Sequence, residues 1–207
     1  MTSRQEEAAW EACVTQDMRH WLERAVIGLN LCPFAKSVHV KGQVHYVVSR
    51  STDRQALREE LVRELRALHA SDPAVRDTTL LMAPCCLTDF LDFNDFLAEA
   101  DAALNDLGLE GELQIASFHP QFQFAGTAAD DITNYTNRAP YPTLHLLREA
   151  SIDRAVQAFP EAEMIYESNM HTLEQLGHAG WRALQVEASQ PHAGLADLSV
   201  NQDPDLP

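Results

Sequence analysis

The sixteen residues N-Y-T-N-R-A-P-Y-P-T-L-H-L-L-R-E, Asn134 to Glu149, concentrate two asparagines, two arginines, a histidine and a glutamate. They lie shortly after F-H-P, Phe118 to Pro120. An imidazole such as His119 exchanges protons near neutral pH, and its neighbours Phe118 and Pro120 limit its access to water, so His119 is the candidate acid or base. Arg138 and Arg148 are suited to hold a carboxylate or phosphate. Pro142 is favoured in the first turn of a helix, which predicts a helix with the core stripe Leu144, Leu147, Ala155 and Phe159. The free amides of that first turn would complete an anion site between the two arginines. Asn134 and Asn137 would then orient the reacting group, Asn137 on the catalytic side and Asn134 on the binding side, with His145 also against the substrate.

Two other chemistries are open to the same residue types. His145 and Glu149 are four apart, which on a helix puts them on one face. With His119 they form the two-histidine, one-carboxylate set of many non-haem metal sites. The metal-free form is preferred, because the arginines already supply positive charge; no cofactor is predicted, and a divalent metal is the alternative. Cys32 stands in L-C-P-F-A-K, where Lys36 would lower a thiol pKa, create a nucleophile and help to bind substrate. Each residue also has an ordinary structural alternative. His119 would be a buried histidine bonded to a backbone carbonyl, and Arg138 and Arg148 would pair with Asp130, Asp131 or Glu149. Asn134 and Asn137 would be turn residues, and Cys32 a small buried apolar group.

The elements that position these residues follow from periodicity. A capping box, Ser3-Arg4-Gln5-Glu6, opens an N-terminal helix whose apolar positions run from Trp10 to Leu29, with Gly28 as a left-handed terminator and Pro33 beyond it. Strands are expected at Val44–Ser49, Thr78–Ala83 and Leu113–Phe118. The first two are each followed by an amphipathic helix, carrying Leu57, Leu61, Leu65 and Leu68, and then Phe90, Phe93, Leu97, Leu104 and Leu107 up to Gly108. This alternation predicts an α/β fold with a mostly parallel sheet of three to four strands covered by helices. A fourth short strand is expected at Met164–Tyr166, before a last helix near Thr172. Parallel strands deliver their last residues to one edge, where ligands bind; His119, Ser49, Arg50, Pro84, Cys85 and Cys86 fall there. Between Pro120 and Pro142 lies a long loop, anchored by Phe122, Phe124, Tyr135 and Tyr141 and therefore expected to be an ordered wall over the strand ends.

The 207 residues, 45% of them apolar, suit one domain over residues 1–187, with a disordered acidic tail over 188–207. The 31 acidic side chains against 15 Lys and Arg give a formal charge of −16. That charge argues against nucleic acid or an anionic membrane surface as a partner, while leaving room for a small anion among local cations. Charged residues throughout the first thirty positions and the absence of a long apolar run predict a cytoplasmic protein with reduced thiols. The segments G-L-N-L-C-P-F-A-K, T-T-L-L-M-A-P, D-F-N-D-F-L, Q-I-A-S-F-H-P-Q-F-Q-F-A-G-T and N-Y-T-N-R-A-P-Y-P-T-L-H-L-L-R-E together resemble a bacterial family of unknown function, number 1415. The likeness runs from about Trp21 to Gly177 and implies a one-domain bacterial protein, with no reaction attached. The residues themselves suggest an enzyme of hydrolase or transferase type acting on a small anionic molecule, since no Gly-rich dinucleotide or phosphate loop is present. The alternative is a non-catalytic ligand-binding or regulatory module.

Overall fold

The computed structural model describes residues 3–158 and 164–189. The N-terminal helix α1 (Ser3–Trp21) runs into a wider π-helical turn over Leu22–Ile27. Gly28 is needed at the end of that turn for space, not for handedness: its φ is −63°, and a Cβ there would stand 2.3 Å from the Arg24 carbonyl oxygen. The left-handed residue is Asn30, at φ 56°. A short helix α2 (Ala35–Val40) leads to strand β1 (Val44–Val48), and helix α3 (Arg54–Ala70) to strand β2 (Thr78–Met82). Helix α4 (Phe90–Asp106) and strand β3 (Leu113–Phe118) follow. Asp53 and Asp89 cap α3 and α4 by accepting backbone N–H groups of their first turns.

The helix expected from Pro142 is a strand, β4 (Thr143–Arg148); the helix, α5, spans Glu149–Ala158. Of the expected stripe, Phe159 lies outside the described residues. The segment T-L-H-L-L-R puts Leu144 and Leu146 on one side and His145 and Leu147 on the other, which serves a strand covered on both faces. The strand order is β1-β2-β4-β3, with β1 and β2 parallel and β4 antiparallel to both β2 and β3. The sheet is therefore mixed, with one parallel pairing instead of a mostly parallel arrangement. Because β4 opposes both neighbours, β1, β2 and β3 still run in one direction and end on one edge, as their sequence pattern requires. Met164–Tyr166, expected as a strand, leads into helix α6 (Ile165–Ala183). Residues 190–207, where most of the expected tail falls, lie outside the described residues.

Two cores share the sheet. On one face Leu57, Leu61, Leu65 and Leu68 of α3 and Phe93, Phe96, Ala100 and Ala103 of α4 pack on Leu81, Leu113, Leu144 and Leu146. On the other, Val14, Met18 and Trp21 of α1, the π-helical turn and Leu173 and Trp181 of α6 pack on Leu80 and Met82. These helices cover only part of the second face. Toward the starts of β1, β2 and β3 the sheet lies open beneath α2 and α5, and the opening is a cleft. No helix among the described residues is long and apolar enough to cross a membrane.

Candidate functional site

The long loop after β3 is ordered, as its aromatic content predicts, and contains a short 3-10 helix over Ile132–Asn137. Its polar side chains bond to the loop and to the backbone beside it. Asn134, fully buried, accepts from the Phe124 N–H and the Thr127 hydroxyl and donates to the Ala128 carbonyl. Asn137 donates to the Ser117 carbonyl and accepts from the Thr136 hydroxyl. Arg138 donates to the carbonyls of Phe122 and Ala129 and stacks its guanidinium 4.1 Å from the Tyr135 ring centre, while its own carbonyl accepts from the Trp21 indole. His119 is wholly buried between the rings of Phe90 and Phe93. Its Nδ1 accepts the Gln121 N–H at 3.0 Å, so Nε2 is the donor to the Leu87 carbonyl at 3.1 Å. Both ring nitrogens are engaged with backbone, the arrangement described above as the structural alternative.

The first-turn amides expected after Pro142 are ladder groups of β4, so no helix N-terminus stands between Arg138 and Arg148. Arg148 instead carries its guanidinium to the carbonyls of Leu68 and Ser71 at the C-terminal end of α3, where the helix dipole favours a cation. It has no carboxylate partner among the described residues. The proposed metal set separates for the same reason. His145 lies within β4 and Glu149 at the first position of α5, so the two are not one turn apart on a helix. His119 packs on the α4 side of the sheet, whereas His145 shares the opposite face with Phe118, its ring centre 6.1 Å away. Among the described residues no three His, Cys, Asp or Glu side chains are grouped to hold a metal.

What the structure does bring together is the cleft on that opposite face, of about 840 Å³. Its floor is the sheet, with Leu80, Ala116, Leu147 and Phe118 around His145; Trp21 and Val26 close one side, and α2 and α5 close the others. Of the residues singled out in the sequence, Cys32, His145 and Arg148 line it, although the Arg148 guanidinium turns away to α3. His119, Asn134, Asn137 and Arg138 do not line it, and Lys36 is exposed on α2 outside the lining. Cys32 sits at the entry to α2 with its sulfur accepting from the backbone N–H groups of Phe34 and Ala35. Burial outweighs those two bonds and pushes the thiol pKa up, opposite to the activation expected from Lys36.

His145 is the polar centre of the floor. Thr78 has one hydroxyl proton, which it donates to the Leu146 carbonyl at 2.7 Å. The 2.6 Å contact between Thr78 Oγ1 and His145 Nε2 must therefore be donated by the histidine. Nε2 carries the proton and Nδ1 is a bare acceptor, with no partner among the described residues. The ring is half-buried, open only where the cleft meets it, and the loss of water around it lowers its pKa from 6.5 to about 4. The charged side chains around the opening are Lys41 and Arg154, both exposed, and Asp77, which is buried and accepts from the Ser151 hydroxyl at 2.6 Å. Arg154 donates to the same hydroxyl, and neither Lys41 nor Arg154 has a carboxylate partner among the described residues.

Sequence reasoning did not single out Thr78, Lys41, Asp77 or Arg154. The signal for Thr78 is its place in T-T-L-L-M, a hydroxyl in a strand buried at every position. Nothing in the spacing announces the other three, which meet only because α2, the turn before β2 and α5 surround one patch of sheet.

Fold and site define a mixed α/β protein with a cleft over one face of its sheet. The chain belongs to the family described as protein of unknown function (DUF1415), whose model matches residues 13–183. No curated protein and no solved structure matches it.

Proposed function

We propose that the protein binds a small organic anion with an apolar body in the cleft above His145, in a reducing, cytoplasmic setting. The observation that carries this reading is the cleft itself, a mostly apolar hollow of about 840 Å³ with a neutral imidazole at the centre of its floor and few other polar side chains there, Thr78 and Gln114. Such hollows with few, fixed polar groups are the usual form of small-molecule sites. Lys41 and Arg154 at the opening supply local positive charge in a chain of net charge −16, which favours an anionic group on the ligand's outer end. The free thiols Cys13, Cys32, Cys85 and Cys86 suit a reducing compartment.

A catalytic role, of hydrolase or transferase type, is the second reading. It is favoured by Cys32 and His145 lining one cleft, which puts a thiol and an unprotonated ring nitrogen in the same hollow. Binding without turnover is the simpler account, because a histidine with a pKa near 4 is a weak base and a thiol whose pKa is raised is a poor nucleophile at neutral pH.

The test is native mass spectrometry of the purified protein together with a fragment screen by NMR, each repeated on Ala116→Trp, which fills the floor opposite His145. We expect a retained or added small molecule that shifts cleft resonances in the natural protein and is absent from the variant. Ligands that bind both proteins alike, or that perturb only the loop around His119, would overturn the reading.

A further inference from the structure

We infer that His145 is a specificity determinant of the cleft, a fixed hydrogen-bond acceptor that selects ligands presenting an N–H or O–H donor from within an apolar body. This rests on the cleft reading above and adds the chemical class of the ligand. Each step follows from counting protons. The Leu146 carbonyl can only accept, so the Thr78 proton is committed to it. Thr78 Oγ1 can then only accept from His145, which holds the ring proton on Nε2 and leaves the Nδ1 lone pair outside the protein's own bonding.

The backbone makes this tautomer hard to escape. Thr78 and Leu146 belong to adjacent strands in the middle of the sheet, where Thr79 pairs with Leu146 and Leu80 with His145. Thr78 is buried, so its hydroxyl has no solvent alternative. Around Nδ1 the floor is Leu80, Ala116, Leu147 and Phe118, with Gln114 farther along β3, and no side chain among the described residues donates to Nδ1. In such surroundings an acceptor discriminates strongly. A ligand with a donor exchanges one hydrogen bond for another, whereas a ligand of the same shape without one covers Nδ1 and leaves it unpaired. Burial keeps the ring unprotonated across the physiological range, so Nδ1 does not become a donor and the preference does not reverse. The favoured ligand is an aryl or alkyl acid whose anionic group lies near Lys41 and Arg154 and whose hydroxyl, amide or ring N–H lies deeper, against the floor.

The experiment uses the full chain and two matched probes, indole-3-acetate and 1-benzofuran-3-acetate, which differ by a ring N–H in place of an oxygen. Titration by NMR should give tighter binding of the indole acid by about tenfold, the effect of one unsatisfied acceptor, with shifts centred on Trp21, Ala116 and His145. In Thr78→Val, where Nε2 loses its acceptor and the ring is free to change tautomer, the preference should shrink toward unity. Independently of any ligand, the imidazole 15N shifts of His145 should report a proton on Nε2 at pH 7 in the natural protein. Equal binding of the two acids, tighter binding of the benzofuran acid, or a proton found on Nδ1 would each overturn the inference and leave the cleft reading standing. Failure of both acids, and of the fragment screen, to move any cleft resonance would remove the cleft reading and this inference with it.

Discussion

Lowering the pH should destabilise the protein through His145, and replacing His145 by Gln should remove that part of the acid sensitivity. The unfolded chain binds a proton at His145 with the ordinary pKa of 6.5, while the folded chain resists until about 4. Above the unfolded value both states are neutral there and the native state has its full stability. Between the two values the unfolded state binds more protons, so stability falls with falling pH at up to about 1.4 kcal/mol per pH unit. Across the whole window the loss amounts to about 3 kcal/mol. The opening of the cleft admits solvent to one side of the ring, which makes this figure an upper bound. The charged residues lining the cleft are Lys41, Asp77, Arg148 and Arg154, and the lowering at His145 comes from burial. Urea unfolding at pH 7.5, 6.0 and 5.0 measures it directly: the stability difference between natural protein and His145→Gln should drift by about 2 kcal/mol from the highest pH to the lowest. Parallel curves, with a constant difference at all three, would refute the claim that the ring is buried neutral. His45, whose pKa burial also lowers, acts equally in both proteins and cancels.

Other outcomes follow from the same contacts. His119→Ala should cost about 3 kcal/mol in urea unfolding, because it empties the space between Phe90 and Phe93 and leaves the Leu87 carbonyl and Gln121 amide unpaired; ligand affinity of the folded fraction should not change, and a loss of affinity would return His119 to the site. Arg138→Ala should lower stability by about 2 kcal/mol through its two carbonyls and the Tyr135 ring, again without loss of anion binding. Asn134→Ala should loosen the loop, read as faster amide exchange at Phe124 together with a stability loss of about 2 to 3 kcal/mol. Cys32 should react slowly with iodoacetamide at pH 7.5 and accelerate only at distinctly alkaline pH, since burial raises its pKa; rapid labelling at neutral pH would show an activated thiol and favour the catalytic reading.

Helix α3, helix α4 and strands β1 to β3 were legible because each obeys a single period, with Leu57, Leu61, Leu65 and Leu68 on one helical stripe and T-T-L-L-M as an unbroken buried run. Strand β4 was not. Six residues beginning after a proline and carrying three leucines fit a helix start as well as a covered strand, and only the vacancy between β2 and β3 decides which forms. That one misassignment moved the anion site, since it created a helix N-terminus beside Arg138 and put His145 and Glu149 on one face. The loop residues were misleading for a different reason. Asn134, Asn137, Arg138 and His119 carry the groups that an active site uses, but a loop of this length also needs many polar side chains to satisfy its own backbone and that of the segments it covers, and here they bond to Phe124, Ala128, Phe122 and Ala129 of the loop, Ser117 of β3 and Leu87 before α4. The cleft was invisible because its walls come from four separate parts of the chain.

The place of β4 in the sheet also bears on how the chain reaches its native state. The strand that joins the two halves of the sheet is the last of the four in sequence, with Thr143 paired to Met82 on one side and to Phe118 on the other. Until it docks, β1 with β2 forms one ribbon and β3 is a lone segment, each with unpaired N–H and C=O groups along the side that will face β4. Contacts so distant in sequence are slow to form, and the open edges are templates for pairing with other chains while they wait. A nascent chain stalled before Thr143 would hold both helices of the α3–α4 layer yet lack the strand that supplies Leu144 and Leu146 to their core. Synthesis past Arg148 is thus the commitment point: the same strand closes the sheet, seals the core beneath α3 and α4, and delivers His145 to the cleft.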